Sequence, residues 1–302
     1  MASIWQLTAI VYPQRTVLFG VVLDGDTTTS KGTSSSLKSG LAIASSYFRT
    51  TCARASLKVK WGKLALSTQT DDRGGFYLET TEPFDHGDRL ELWVEGQPVT
   101  CHDHVLRVHF IRETGDLVIS DIDDTVLVSH TGKKFKRLFT TLFRSYVKRK
   151  PVQETSRIFD LLGRTQNDHV YVSRSEYNLY PLLSNFFAHQ DLPEGPLLLT
   201  PFLNFKSLLR GKKDPDFKIK TIQSILEHSG HQKVVLIGDD TQHDLQIYAE
   251  IAKTRGSRIK KVYIRQTDAR VDKRHSPDWS ELSDFVENMI YFNEETDLKF
   301  LK

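Results

Sequence analysis

Beyond residue 113 the chain alternates short apolar segments with amphipathic ones, and this order constrains the possible folds more than any other feature. Strands are predicted at Asp116–Ser120, His169–Ser173, Pro196–Leu199, Lys233–Gly238 and Ile259–Ile264. Helices are predicted at Pro151–Leu162, Tyr177–Ala188, Pro215–His228 and Leu245–Arg255, with Asp214 as N-cap of the third and Gly230 as its stop. Strands that alternate with helices predict an α/β fold, in which a parallel sheet carries helices on both faces and binds ligands at the carboxyl ends of its strands.

The first 112 residues follow a different pattern, because their apolar positions alternate as in strands of a half-buried sheet. Such strands are predicted at Val17–Leu23, Ser56–Trp61, Phe76–Thr80, Arg89–Val94 and Val105–Phe110. A loop rich in Thr, Ser and Gly is predicted at Asp24–Gly40, followed by a short helix at Leu41–Arg49. We therefore expect a β-rich, sandwich-like domain at residues 1–112, the α/β domain at 113–275, and a C-terminal helix and tail at 276–302.

Composition excludes several classes of protein. The net charge of +3 does not suit a chain that binds polyanions over its whole surface, and two cysteines do not build a disulfide framework. A zinc site at Cys101, His102 and His104 is disfavoured, because no second pair of ligands lies at a suitable spacing. No apolar run reaches the ~18–20 residues that span a bilayer, and the N-terminus lacks the basic region of a signal peptide. A cytoplasmic protein is expected, with peripheral membrane contact as an open alternative.

Two acidic clusters each follow an apolar strand directly. In the first, Asp121 and Asp123 point the same way from an extended segment, so one carboxylate can attack phosphorus while the other moves protons. The second cluster contains Asp239, Asp240 and Asp244. Because parallel strands end at one edge of a sheet, the two clusters together predict an oxygen-rich site for Mg²⁺.

A purely structural role and a calcium-binding loop both fit these acidic residues less well. Acidic residues after a strand often cap turns, but turn capping accounts for either cluster alone better than for both together. An EF-hand would need Gly and Glu at its sixth and twelfth positions, where this chain has Val126 and Gly132.

The sequence around these clusters resembles the haloacid dehalogenase superfamily, and within it the App1-type phosphatidate phosphatase domain. The resemblance rests on ISDIDDT, YVSRSEYNLYPLL, LPEGPLLL, FKIKTIQSIL, VLIGDDTQHDLQIYAEIA and VYIR, and it runs through most of residues 105–266. It implies a Rossmann-like parallel sheet and a Mg²⁺-dependent phosphatase that acts through an aspartyl-phosphate. The β-rich N-terminal part is similar to the region that precedes this domain in bacterial relatives.

The resemblance also implies a role for individual residues. Asp121 would be the nucleophile, and Asp123 would protonate the leaving alcohol and then activate water. The implied phosphate contacts are Thr125, Ser173 and Lys218, with Lys220 as the alternative to Lys218. The implied metal ligands are the side chains of Asp121, Asp239 and Asp244 and the carbonyl group of Asp123. Ser173 could instead cap a helix, and Lys218 could simply be solvated.

The chain departs from the family pattern beside the expected substrate. Arg174 stands where relatives carry Asn, and it is predicted either to contact a phosphate or head group or to be solvated. Asp240 replaces a Ser of the relatives and is predicted to share the metal. These changes weaken any transfer of substrate specificity but leave the chemistry intact.

Between Thr131 and Pro151 lies a segment with many cations and no acidic residue. Its cations are Lys133, Lys134, Lys136, Arg137, Arg144, Lys148, Arg149 and Lys150, opposite a helical stripe of Phe, Leu and Tyr. Packing of the stripe on the sheet is favoured over docking to an anionic membrane. No recognised motif supports nucleic-acid binding.

The sequence thus predicts a phosphomonoester phosphatase, with phosphatidate at a membrane surface as the leading substrate. A phosphatase of a soluble metabolite or a polynucleotide end is one alternative. A lipid-binding or scaffolding module with a vestigial site is another, disfavoured because such a module need not retain mutually repelling carboxylates.

Overall fold

The computed structural model describes residues 2–25, 45–82, 89–99, 106–127, 151–203, 214, 216–230, 233–241 and 243–296. The chain forms two compact units, the first made of Met1–Ile111, Glu176–Leu182 and Thr200–Lys213, and the second of Arg112–Ser175, Leu183–Leu199 and Asp214–Lys302. Several predicted features fall on residues outside the described ones: the basic segment at 133–150, the set Cys101, His102 and His104, and most of the loop and helix predicted at 24–49.

The first unit contains two four-stranded sheets. The strands are β1 (Ala2–Tyr12), β2 (Arg15–Asp24), β3 (Ser56–Trp61), β4 (Leu64–Gln69), β5 (Gly75–Thr80), β6 (Leu90–Val94), β7 (Gln97–Val99) and β8 (Leu106–Phe110). One sheet has the order β5-β2-β1-β8 and the other β4-β3-β6-β7. The sequence pattern predicts all of these strands except β1, β4 and β7. β1 does not alternate because it lies between β2 and β8 and is buried along most of its length.

Side chains from both sheets form one buried core in this unit. Leu7 and Val22 come from the first sheet, and Leu57, Trp61 and Leu92 come from the second. The β-rich N-terminal region predicted from the sequence is confirmed.

The second unit is built on a six-stranded sheet combined with helices. Its strands are β9 (Asp116–Ser120), β10 (Asp168–Glu176), β11 (Leu197–Thr200), β12 (Lys233–Asp239), β13 (Ile259–Arg265) and β14 (Met289–Phe292). The helices are α1 (Gln153–Leu162), α2 (Tyr180–His189), α3 (Phe217–His228), α4 (Asp244–Arg255) and α5 (Pro277–Ser283). The strand order is β11-β10-β9-β12-β13-β14, and β9 pairs in parallel with both β10 and β12. The predicted α/β fold with a parallel sheet is confirmed.

The order of the strands reverses at β9, because the chain goes first to β10 on one side and later to β12 on the other. At such a switch point the loops that follow the two neighbouring strands diverge and leave a crevice at the carboxyl edge. β9 and β12 are the strands that the two acidic clusters follow.

Three details of the predicted elements are wrong. β10 continues to Glu176 instead of ending at Ser173, which lengthens the strand beside β9. α3 begins at Phe217 with Asp216 as its N-cap residue, because Asp214 accepts hydrogen bonds from the Asp216 amide and the Lys220 ammonium before the helix starts. The region after residue 283 is not only a tail, since β14 pairs in parallel with β13.

Among the described residues, no helix combines the length and the apolar character needed to cross a membrane.

Candidate active site

The loops that follow β9 and β12 meet at the carboxyl edge of the sheet. The Asp121 amide donates to the carbonyl oxygen of Ile237 over 2.9 Å, which ties the first loop to the neighbouring strand. Carboxylate oxygens of Asp121, Asp239 and Asp244 all lie within 4.8 Å of one another, and all three residues are buried. The structure therefore brings together the predicted nucleophile and two predicted metal ligands from strands far apart in the sequence.

Lys218 on α3 lies inside this cluster. Its Nζ atom is 2.6 Å from Asp121 Oδ1 and 2.6 Å from Asp244 Oδ1, and the residue is only 1% exposed. The alternative, Lys220, is exposed and pairs with Asp214 at the start of the helix. Lys218 faces inward because it shares a helix face with the buried Ile222, four residues on. The structure thus places Lys218, and not Lys220, at the acidic cluster.

The pKa shifts in the cluster reflect burial and repulsion between its carboxylates. Burial raises the pKa of the Asp121 carboxyl well above its usual range, and Asp244, Asp239 and Asp123 add to the rise while Lys218 opposes it. Burial and the nearby Asp244 raise the pKa of Asp239 to about 7. Burial alone would lower the pKa of Lys218, but its two carboxylate partners outweigh that effect and raise the pKa overall. Lys218 therefore stays charged, and the remaining repulsion is what a divalent cation would relieve.

A tight loop holds the first acidic cluster. The amides of Val126 and Leu127 both donate to the carbonyl oxygen of Ile122 over 2.9 Å, and Asp124 adopts a left-handed conformation with φ of 57°. The Asp124 carbonyl in turn accepts a hydrogen bond from Arg265 on β13 at 2.8 Å. These bonds fix the backbone that presents the predicted catalytic carboxylates.

Thr125 lies against Asp121 in this loop. Its Oγ1 atom is 3.4 Å from Asp121 Oδ2, a long contact for a hydrogen bond, and the residue is fully buried. Its carbonyl oxygen accepts a hydrogen bond of 2.6 Å from Thr155 on α1. Thr125 is thus held beside the predicted nucleophile by an adjacent helix.

Two serines of β10 hold the Asp123 carboxylate. Ser173 donates to Asp123 Oδ2 over 2.7 Å, and Ser175 donates to the same oxygen over 2.9 Å. Both serines point to Asp123 because they are two residues apart on one strand. By the same alternation Arg174 lies on the other face of the strand, and its role as a phosphate contact stays a prediction.

Ser175 is a site residue that the sequence pattern did not single out. The predicted strand ends at Ser173, which leaves the polar residues after it in a loop. The signal is present in the two-residue spacing of Ser173 and Ser175, which an extended β10 turns into one polar face.

Gly238 explains how Asp244 reaches the cluster. A Cβ atom at position 238 would lie 2.7 Å from Asp244 Oδ2 and 2.9 Å from a ring carbon of Tyr248, closer than van der Waals contact allows. Without that atom, Asp244 Oδ2 accepts a hydrogen bond of 3.2 Å from the Asp239 amide. Asp244 is also the first residue of α4, where the helix dipole favours a negative charge.

Asp240 is the exception among the predicted metal ligands. It lies outside the group of converging carboxylates found among the described residues. Its Oδ1 atom accepts from the amide and the hydroxyl of Thr267, at 3.1 and 2.6 Å, and its Oδ2 atom accepts from the Tyr291 hydroxyl at 2.6 Å. The structure does not bring Asp240 into this group, because its carboxylate is turned toward Thr267 and Tyr291 on the β14 side.

The fold and the site together define an α/β protein with a buried acidic site of the kind that holds a metal ion. Residues 117–266 match the family described as the catalytic domain of phosphatidate phosphatase APP1. This part of the chain is therefore an APP1-type catalytic domain.

Individual relatives agree with the family match. Phosphatidate phosphatase APP1 of Saccharomyces cerevisiae is 30% identical over 161 residues, which cover 52% of this chain and 27% of that protein. An uncharacterized protein of Schizosaccharomyces pombe is 27% identical over 206 residues, covering 65% of this chain and 34% of that protein. The chain thus spans about a third or less of the curated relatives it matches.

Among solved structures, a carbohydrate acetylesterase from Xanthomonas citri has a TM-score of 0.31 at 10% identity, over 97% of this chain and 68% of that one. A likeness of this degree carries no argument about fold or function.

Proposed function

We propose that this chain is a Mg²⁺-dependent phosphomonoester phosphatase of the haloacid dehalogenase type, with phosphatidate as its substrate and diacylglycerol and phosphate as its products. The observation that carries the proposal is the position of the Asp121 carboxylate, buried among Asp239, Asp244 and Lys218. The family match and the phosphatidate phosphatase of yeast support the reaction class and the lipid substrate. The proposed catalytic domain spans residues 113–275, between a β-rich domain at 1–112 and a C-terminal segment at 276–302.

The chemistry of the cluster suits magnesium. Mg²⁺ prefers oxygen ligands in a near-octahedral arrangement and keeps water or substrate phosphate oxygens among them. The proposed ligands are the side chains of Asp121, Asp239 and Asp244 and the carbonyl group of Asp123. A bound Mg²⁺ would supply positive charge that lets an anionic nucleophile approach an anionic phosphate.

The proposed reaction has two steps. In the first, an Asp121 carboxylate oxygen forms a bond to phosphorus while the bond from phosphorus to the ester oxygen breaks, and Asp123 gives its proton to that leaving oxygen. In the second, Asp123 takes a proton from water, the water oxygen bonds to phosphorus, and the bond between phosphorus and Asp121 breaks. Both carboxyl groups return to their starting states.

The surrounding residues have supporting roles in this proposal. Ser173, Thr125 and Lys218 are proposed to contact the phosphoryl oxygens, where negative charge develops in the transition state. Ser173 and Ser175 also keep Asp123 turned toward the site by their hydrogen bonds to its Oδ2 atom.

The proposal is tested by measuring phosphate release from phosphatidate vesicles, lysophosphatidate and small phosphate esters, each with Mg²⁺ and with a chelator. Asp121→Asn is expected to reduce the rate by at least about a thousandfold, because it removes the nucleophile. Asp116→Asn is the matched control, since Asp116 lies at the other end of β9 and pairs with Lys260. It is expected to retain activity.

Each contrary outcome has a distinct meaning. Phosphate release that persists in Asp121→Asn, or that does not depend on a divalent cation, would refute the mechanism. Equal rates on small esters and on vesicles would replace the lipid substrate by a soluble one. Vesicle binding without phosphate release from any substrate would point to a non-catalytic lipid-binding module.

A further inference from the structure

Asp240 joins the loop after β12 to the far edge of the sheet. The residue is buried and directly follows Asp239, a member of the acidic cluster. Its carboxylate accepts two hydrogen bonds from Thr267, which follows β13, and a third from the hydroxyl of Tyr291 on β14. Asp240, which adjoins the proposed metal ligand Asp239, is thus held by two residues that lie 27 and 51 positions further along the chain.

The backbone of Asp240 is held as well as its side chain. The Asp240 amide donates to the carbonyl oxygen of Arg265 over 3.1 Å, and the Lys273 ammonium donates to the Asp240 carbonyl oxygen. The ring of Tyr291 is fixed in turn, because the Trp279 ring meets it edge-on at a centroid distance of 5.5 Å. The hydroxyl that reaches Asp240 is therefore presented by a packed ring.

Asp240 is connected to the cluster through the next residue in the chain and the hydrogen bonds that this residue makes. The next residue, Thr241, donates to Asp239 Oδ1 from both its amide and its hydroxyl. The Asp239 amide donates to Asp244 Oδ2 over 3.2 Å. A shift of Asp240 would move Thr241, and through it the carboxylates of Asp239 and Asp244.

We propose that Thr267 and Tyr291 are positioning residues for the cation site, which hold Asp239 and Asp244 in place through their hydrogen bonds to Asp240. Both lie beyond the part of the chain that matches the family, which ends at residue 266. β14 then contributes to the site as well as forming an edge of the sheet. The inference rests on the cation-binding part of the proposed function.

The test measures Mn²⁺ binding to the full chain, by electron paramagnetic resonance of free Mn²⁺ and by calorimetry, without substrate. Tyr291→Phe and Thr267→Val each remove one hydroxyl and keep the shape of the side chain. Each is expected to weaken Mn²⁺ binding by roughly three- to tenfold, at or below the ~10–100-fold lost with a group that hydrogen-bonds a metal ligand directly, because both act through Asp240. Thr267→Ser retains the hydroxyl and is expected to bind Mn²⁺ as the unsubstituted chain does.

Tyr171→Phe is the matched control for loss of a tyrosine hydroxyl. Tyr171 is buried on β10, and its hydroxyl donates to the carbonyl oxygen of Pro193 over 2.8 Å, away from the loop after β12. It is expected to lower thermal stability as much as Tyr291→Phe does and to leave Mn²⁺ affinity unchanged.

The outcomes separate this inference from the proposed function. Mn²⁺ affinity that is the same in Tyr291→Phe, Thr267→Val and the unsubstituted chain would overturn the inference and leave the phosphatase proposal standing. Tight Mn²⁺ binding that weakens in both variants, in a chain that releases no phosphate, would support the inference and refute the phosphatase. No Mn²⁺ binding by the unsubstituted chain would refute both.

Discussion

Replacing Lys218 by Met should reveal how strongly the acidic cluster depends on its buried cation. Lys218 Nζ is 2.6 Å from a carboxylate oxygen of both Asp121 and Asp244, and the side chain is 2% exposed. Met is similar in length and fills most of the same space, so the change removes charge more than volume. Removing one partner of a buried ion pair destabilises a protein by about 3–5 kcal/mol, because the other partner is left as an uncompensated buried charge. We expect a loss in that range for the metal-free protein.

The loss should depend on pH. Burial already raises the pKa of Asp121, and Lys218 is the neighbour that opposes the rise, so Lys218→Met should raise that pKa further. A carboxyl group with a raised pKa in the folded state binds more protons there than in the unfolded chain. Stability therefore falls as pH rises above the unfolded value of about 4. The variant should be least destabilised near pH 4 and most destabilised near pH 8.

The assay is urea unfolding with a chelator present, at pH 5 and at pH 8. Lys220→Met is the control, since Lys220 lies on the same helix with its side chain 64% exposed, where an ion pair is worth about 1 kcal/mol or less. Equal losses in the two variants, or a loss in Lys218→Met that does not grow with pH, would refute the reasoning.

Two further predictions concern β10. Ser175→Ala removes one of two hydroxyls that donate to the Asp123 carboxyl group. We expect kcat to fall about tenfold, because the net contribution of one hydrogen bond, about 1.4 kcal/mol, corresponds to a factor of ten in rate, while Mn²⁺ affinity stays unchanged. Weaker Mn²⁺ binding with normal kcat would contradict this role. Burial lowers the pKa of His169 to about 4, so its ring is neutral in the folded protein and stability should fall as pH drops from about 6.5 to about 4. In His169→Phe, urea unfolding should show less of this acid-dependent loss, and an unchanged pH profile would show that His169 does not cause it.

The parts of the fold that could be predicted are those whose sequence pattern follows directly from burial. β9 and β12 are buried along nearly their whole length, so each reads as a short apolar run between polar ends, as expected for a central parallel strand. β14 could not be predicted in the same way. Its four residues lie at an edge of the sheet and are mostly only half-buried, so neither alternation nor a long apolar run marks them.

Only part of the candidate site could be predicted from the sequence. Asp121, Asp239 and Asp244 could be predicted to converge because the ends of parallel strands meet at one edge of the sheet. The partners of Asp240 could not be predicted, since Thr267 lies 27 residues away and Tyr291 lies 51 residues away, on a strand that the sequence did not reveal. The role of Ser175 could not be predicted either, because its side chain joins that of Ser173 at Asp123 only if β10 continues past Ser173.

The balance of charge within the cluster is itself an argument for function. Lys218 can neutralise one of the three converging carboxylates, and each further buried charge costs several kcal/mol unless it is paired or protonated. The raised pKa values of Asp121 and Asp239 show the metal-free protein moving toward protonation. Apolar side chains of similar volume would stabilise this edge of the sheet better. A divalent cation would displace the protons and compensate the charge, so binding of the ion and stability of the fold should rise together.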